Sequence, residues 1–283
     1  MRMNSFFSIC NKSGIACASD TDNTIYRLSK EEPVAVAVCP FSPIRWDSII
    51  IAYLRKGEPA HHLTLEEYAR DFEQFLQAYP ADKAWNGLSI DERNLIFLGY
   101  GTGDIYPSVC DTLIVVDDET GRMQLGEVSN TVISIGNEAA FNWNGNFERM
   151  NPILHGATRI ARDFMAQRVG EALELYKKRV LDKFQGTKYE EYVKKTLDDY
   201  DFKAKQSLLI NDATRDILYG VCIGLDSFGI EEMVLNCENI VNANIRLSHL
   251  ANGGKGLIGS TREIAVLTRA EGFTWIKHSL FAI

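Results

Sequence analysis

The chain has 283 residues, 46% hydrophobic and 24% charged, with a formal net charge of −8, the proportions of an ordinary globular protein long enough for one large core. The acidic balance excludes a nucleic-acid footprint and attachment to anionic lipid, both of which need basic patches. Apolar runs such as 34–38 and 48–54 are far too short to cross a bilayer, and the first ten residues lack a secretory h-region, so a cytoplasmic protein is expected.

Residues 5–10 read as a short apolar strand, Asn11-Lys12-Ser13-Gly14 has turn chemistry, and 15–19 form a second strand of small apolar residues. Residues 25–28 alternate, and the Val/Ala run at 34–38 suits a strand buried on both faces. After Pro40 and Pro43 the period becomes helical: Trp46, Ile49, Ile50, Tyr53 and Leu54 recur, with Asp47 in the first turn and Lys56-Gly57 at the end. Thr64 with Glu67 three residues later is a capping box for a second helix, whose stripe is Leu65, Tyr68, Phe72, Phe75, Leu76 and Tyr79. Strands are expected at 94–99, 112–117, 123–125 and 131–135, with Asp118-Glu119-Thr120-Gly121 as a turn.

Residues 152–219 are helical in character, and the Lys, Glu and Asp doublets within 177–205 read as a solvated helix face. An amphipathic helix at 230–250 stops at Asn252-Gly253-Gly254. Strands at 263–268 and 273–278 flank Arg269-Ala270-Glu271-Gly272. No Gly/Ser-rich or Pro-rich linker and no repeat divides the chain, so residues 1–283 are expected to form a single domain, a layered α+β or αββα sandwich with helices outside the sheets.

Four stretches stand out in order: 13–20, ending in Ser19-Asp20; 25–28 followed by 34–38; 113–117 with Gly121 and then Ile133-Ser134-Ile135-Gly136-Asn137; and 260–268 with Glu271-Gly272 and 273–276. Taken together they resemble the turns, strands and hairpins of the proteasome β-subunit branch of the N-terminal-nucleophile (Ntn) hydrolases. That resemblance implies the family's four-layer αββα sandwich, and it makes the stretch at about 152–228 a helical insertion. Residues 30–33, 46–53 and 272–277 are similar to a bacterial branch of the same fold.

In the family, a Thr, Ser or Cys at the mature N-terminus attacks a carbonyl with its own α-amine as base. An Asp ending the second strand and a Lys opening the third tune its charge, and an N–H of the glycine turn stabilises the oxyanion. Carried over, Asp20 matches the aspartate, Ser5 falls at the nucleophile, and Gly136-Asn137 falls at the glycine turn with Asn137 in place of Ser. Thr24 stands where the lysine belongs, Lys30 lies past the end of that strand, and the substrate-lining loop is cut to Thr21-Asp22-Asn23. Ser5 would need removal of residues 1–4; Arg2 bars methionine aminopeptidase, and Asn4 replaces the Gly that precedes a self-processed nucleophile.

Six cysteines, Cys10, Cys17, Cys39, Cys110, Cys222 and Cys237, form no CxxC pair and read as buried thiols. His61, His62, His155, His249 and His278 show no metal-ligand spacing, and Gly101-Thr102-Gly103-Asp104 and Gly253-Gly254-Lys255-Gly256 fit neither a P-loop nor a Rossmann turn. No cofactor or metal is expected. The expected function is a proteasome-like protein with a degenerate hydrolytic site and a binding or assembly role, as a ring or stacked homo-oligomer with a peptide or protein partner. The alternative is an active amide or peptide hydrolase using Ser5 after unusual processing; an unrelated α+β binding module is a third reading.

Overall fold

Strand β1 (Ser5–Asn11) folds back on β2 (Gly14–Ser19), with Phe6 opposite Ser19 and Asn11 opposite Gly14. The turn requires glycine: Gly14 has φ +148°, and a Cβ there would lie 2.6 Å from the Leu267 carbonyl. This computed structural model describes residues 5–56, 64–135, 137–145, 159–199, 224–251, 253 and 260–278.

The hairpin is the centre of a five-stranded antiparallel sheet, extended on one side by β10 (Glu263–Thr268) and β11 (Gly272–Lys277), and on the other by β9 (Ala139–Gly145). A second antiparallel sheet runs in the order β3 (Ile25–Arg27), β4 (Val34–Val38), β5 (Asn94–Gly99), β6 (Ser108–Val116) and β7 (Met123–Leu125), and β8 (Ser129–Val132) also pairs with β6.

Six α-helices accompany the sheets among the described residues: α1 (Trp46–Lys56), α2 (Leu65–Leu76), α3 (Ile90–Arg93), α4 (Arg159–Phe184), α5 (Glu190–Asp198) and α6 (Ile230–Ala251). The protein is thus α+β with two antiparallel sheets. Alternation along β4 divides the core. Ala35 and Ala37 join Phe6, Cys10, Ile15 and Cys17 of the first sheet, while Val34, Val36 and Val38 join Trp46, Ile50 and Phe72 of α1 and α2. Helix α6 lies on β1, β2 and β10 and buries Met233, Cys237, Val241 and Asn244. The capping box at Thr64 forms as expected, Glu67 accepting from the Thr64 amide at 2.9 Å.

Two strands differ from expectation. Strand β6 begins at Ser108, four residues before the expected start at 112, and β8 spans Ser129–Val132 rather than 131–135. Strand β9 was not foreseen, because Asn and Gly are poor strand formers; its full pairing with β1 supplies what its composition does not. Of the six cysteines, Cys10, Cys17, Cys39, Cys110 and Cys237 are buried free thiols, and Cys222 lies outside the described residues, as do His61, His62 and His155.

Chain contacts divide the molecule into two compact units, Met1–Phe147 with Cys222–Ile283, and Glu148–Val221. Within the second, α4 and α5 are joined by an ion pair of Lys177 and Asp198 at 3.0 Å, and their described side chains are all exposed or half-buried, as a solvated face requires. Much of the expected helical stretch at 152–228 lies outside the described residues. No helix among the described residues is long and apolar enough to cross a membrane.

Phe72 is fully buried and meets Tyr53, Phe75 and Phe97 edge-on or tilted at ring distances of 5.0–6.4 Å. Replacing it with Ala is expected to cost about 3–5 kcal/mol of unfolding free energy in chemical denaturation. Ile90, 65% exposed, is expected to tolerate the same change within about 0.5 kcal/mol.

Candidate functional site

The junction of β1, β2 and β3 gathers three of the residues singled out in the sequence. At the start of β1 the Ser5 amide donates to Asp20 Oδ1 at 2.7 Å, and the Asp20 amide donates back to the Ser5 carbonyl at 3.1 Å. The exchange closes the hairpin one step beyond the Phe6–Ser19 pair. Because side chains alternate along a strand, and Phe6 and Cys10 belong to the core between the sheets, Ser5 points to the opposite face. That face is covered by α6, whose Asn244 Nδ2 donates to Ser5 Oγ at 2.8 Å. Ser5 and Asn244 are both fully buried.

Burial pushes the Asp20 carboxyl up from 3.8 to about 6, against the downward pull of the Ser5 amide and hydroxyl. Among the described residues Asp20 forms no ion pair and no cation contributes to its shift. Thr24, at the expected lysine position, is fully buried in a cluster of hydroxyls: it receives Ser19 Oγ at 2.9 Å and lies 2.8 Å from Thr21 Oγ1. Lys30 is exposed. Asn137 is exposed and belongs to a tight turn, exchanging backbone hydrogen bonds with Ser134 and donating its side chain to the Val132 carbonyl at 2.8 Å. Its neighbour Gly136 lies outside the described residues. Ser5, Asp20 and Thr24 therefore share one junction, while Asn137 bonds to Ser134 and Val132 of its own turn.

Two residues that complete this junction were not foreseen. Glu263, at the start of β10 and fully buried, accepts the backbone N–H groups of Asn23, Thr24 and Ile25 at 2.8, 3.1 and 3.0 Å. Burial still dominates and raises its carboxyl from 4.5 to about 7, with Asp22 adding repulsion. The His278 ring stands 3.5 Å from Glu263 Oε1 and is stacked on Trp275. The loop bends through Asn23 at φ 62°, a conformation asparagine tolerates better than most residues.

The second unforeseen residue is Asn244. Its signal was present, since Met233, Cys237, Val241, Asn244 and Ser248 follow one helical stripe, and a polar residue on a buried stripe needs a partner. Glu263 likewise opens a strand otherwise apolar as far as Thr268.

A cavity of about 350 Å³ opens beside the loop, with Asp22, Asn23, Tyr26 and residues 40–42 and 44–47 lining it. Neither Ser5 nor Asp20 is among its lining residues. Among the described residues, no group of His, Cys, Asp and Glu is arranged to hold a metal ion.

No protein-family model and no curated protein matches the chain. Among solved structures it is similar to the selenomethionine-labelled Anbu (Gly-1) mutant from Hyphomicrobium sp. strain MC1, at 13% sequence identity and a TM-score of 0.31, over 80% of this chain and 100% of that one.

The two raised carboxyls set a pH dependence. Folded Asp20 and Glu263 hold protons that the unfolded chain has released, so their contribution to stability is full below about pH 4 and is lost as pH rises through about 6 and 7. Each adds a slope of up to about 1.4 kcal/mol per pH unit within its window. Unfolding curves at pH 5 and pH 7.5 are expected to show a smaller pH difference in Glu263→Gln and in Asp20→Asn than in the parent chain.

Proposed function

We propose that this chain is a proteasome-like Ntn-fold protein, a four-layer αββα sandwich whose hydrolytic site is degenerate and which acts in binding and assembly. The observation that carries this reading is the state of Ser5. Its hydroxyl is fully buried beneath α6 and engaged by Asn244, and the carboxyl beside it has no cationic partner among the described residues. A nucleophile needs a base, a path for the carbonyl and donors for the oxyanion. Among the described residues the Ser5 hydroxyl is closed in by the Asn244 amide and a carboxyl raised by burial, with no path for a carbonyl between them, and the neighbouring cavity is lined by other residues.

The layered reading is supported by the two cores, one between the sheets and one between the second sheet and α1 and α2, with α6 on the far side of the first sheet. The proposed assembly is a homo-oligomer, ring or stack, with a peptide or protein partner. It draws on the family resemblance of the ordered strand motifs. Strands β9 and β11 end the first sheet, and a sheet edge is a ready surface for further pairing.

A second reading has one observation in its favour. Cleavage before Ser5 would turn its amide into an ammonium group 2.7 Å from Asp20 Oδ1, a pair that would hold the new terminus and draw the carboxyl downward. In that form the protein would be an amide or peptide hydrolase with Ser5 as nucleophile, Asp20 as its charge partner, Thr24 in the lysine's place and Gly136-Asn137 as the oxyanion turn.

Intact mass spectrometry after incubation with a β-lactone or peptide epoxyketone separates the readings. The degenerate site predicts an unbroken Asn4–Ser5 bond and no adduct. A chain starting at Ser5 and carrying the probe would overturn it in favour of the hydrolase. For the assembly, sedimentation is expected to give a multiple of the 31.8 kDa chain mass, and a purely monomeric species would contradict it.

A further inference from the structure

The Glu263 carboxylate is nearly full. Its Oε1 accepts the Asn23 N–H, and its Oε2 accepts those of Thr24 and Ile25. A carboxylate has about four acceptor positions, two on each oxygen, so about one is left, on Oε1. His278 Nδ1 lies 3.5 Å from that oxygen, at ion-pairing distance. This nitrogen is buried and makes no hydrogen bond elsewhere among the described residues. The imidazole ring lies on the Trp275 indole, with 4.2 Å between centroids and 19° between planes. Trp275 in turn meets Phe273 edge-on at 5.0 Å and packs against the core between the sheets.

The remaining position admits one hydrogen. A neutral imidazole with its hydrogen on Nδ1 supplies it, an imidazolium supplies it with a charge that the indole face also attracts, and a protonated carboxyl supplies it to a bare Nδ1. When carboxyl and ring are both protonated, two hydrogens contend for that position and the contact becomes one between donors. The surroundings leave the pair to itself. Burial keeps Cys17 of β2 and Tyr26 of β3 protonated, Asp22 of the loop repels the carboxylate, and Lys277 of β11 is taken by Glu238 of α6 at 3.3 Å. Burial lifts the Glu263 carboxyl to about 7, inside the span of about pH 5 to 8 in which imidazole is the side chain suited to change charge.

We infer that Glu263 and His278 form a proton-operated clasp, closed while at most one hydrogen lies between them and opened by a second proton, which lifts the His278 ring off Trp275 and frees the end of β11 from the loop at 23–25. Asn23, held by the contested oxygen, also lines the cavity beside that loop, so acidification reaches the cavity wall. The clasp uses neither Ser5 nor Asp20 and stands for a degenerate site and a hydrolase alike.

The test is fluorine NMR of the intact chain with 5-fluorotryptophan at its four tryptophans, titrated from about pH 8 to about pH 4, across the imidazole range. The Trp275 resonance is the one lost in Trp275→Phe. It is expected to move in one step on acidification as the stacked ring departs, while the other three stay in place and show that the chain remains folded. His278→Phe keeps a ring for Trp275 that takes no proton, and is expected to lose the step. Glu263→Gln makes one of the two contending donors permanent, and is expected to move the step to higher pH. A Trp275 resonance that never moves would overturn the inference. So would a step that persists in His278→Phe, or one that stays or falls in a folded Glu263→Gln chain; should that variant unfold, the parent and His278→Phe decide.

Discussion

One buried carboxylate ties the two sheets of this protein to each other. Glu263 belongs to β10 in the first sheet, and the N–H groups of Asn23, Thr24 and Ile25 that it accepts stand where the chain leaves β2 and enters β3 of the second. The turn itself is partly exposed, but the Thr24 and Ile25 N–H groups are buried, and buried backbone donors must be satisfied from within. Glu263 satisfies both, and the Asn23 N–H as well. The cost is visible in its own carboxyl, which burial raises to about 7 despite those bonds.

Much of the local arrangement follows from that anchor. The loop is drawn tight enough to take Asn23 into the left-handed region. Thr24 is turned inward, where Ser19 and Thr21 share hydrogen bonds with its hydroxyl. Asp22 and Tyr26, on either side of the anchored residues, become walls of the cavity that Trp46 closes from the start of α1. On the far face of the first sheet, Ser5 and Asp20 end the β1–β2 ladder under Asn244 of α6. The serine is held by an amide side chain and a strand end, an arrangement suited to fastening β1 to β2 and α6.

The strands and helices at both ends of the chain were legible in the sequence because their residues agree at every level. Residues 34–38 are apolar on both faces and are buried on both faces, and the stripe from Leu65 to Leu76 follows a capping box that forms. Strand β9 was hidden by Asn142, Asn144 and Gly145, whose propensities argue against a strand and are overridden by pairing with β1. At the candidate site, Ser5, Asp20 and Thr24 were placed by order along the chain, and they do share a junction. Glu263 and Asn244 could not be placed that way. Each acts across more than 230 residues of sequence, and a single sequence names a buried polar residue without naming its partner.

The central claim is that the serine at the start of β1 lies beside an acid with no cationic partner among the described residues. A carbon-detected NMR titration of the Asp20 side-chain carboxyl tests it most directly. A midpoint near 6 is what a buried carboxyl without a cationic neighbour should give. A midpoint at or below the ordinary 3.8 would mean that a positive charge stands beside Ser5, and would contradict the degenerate site.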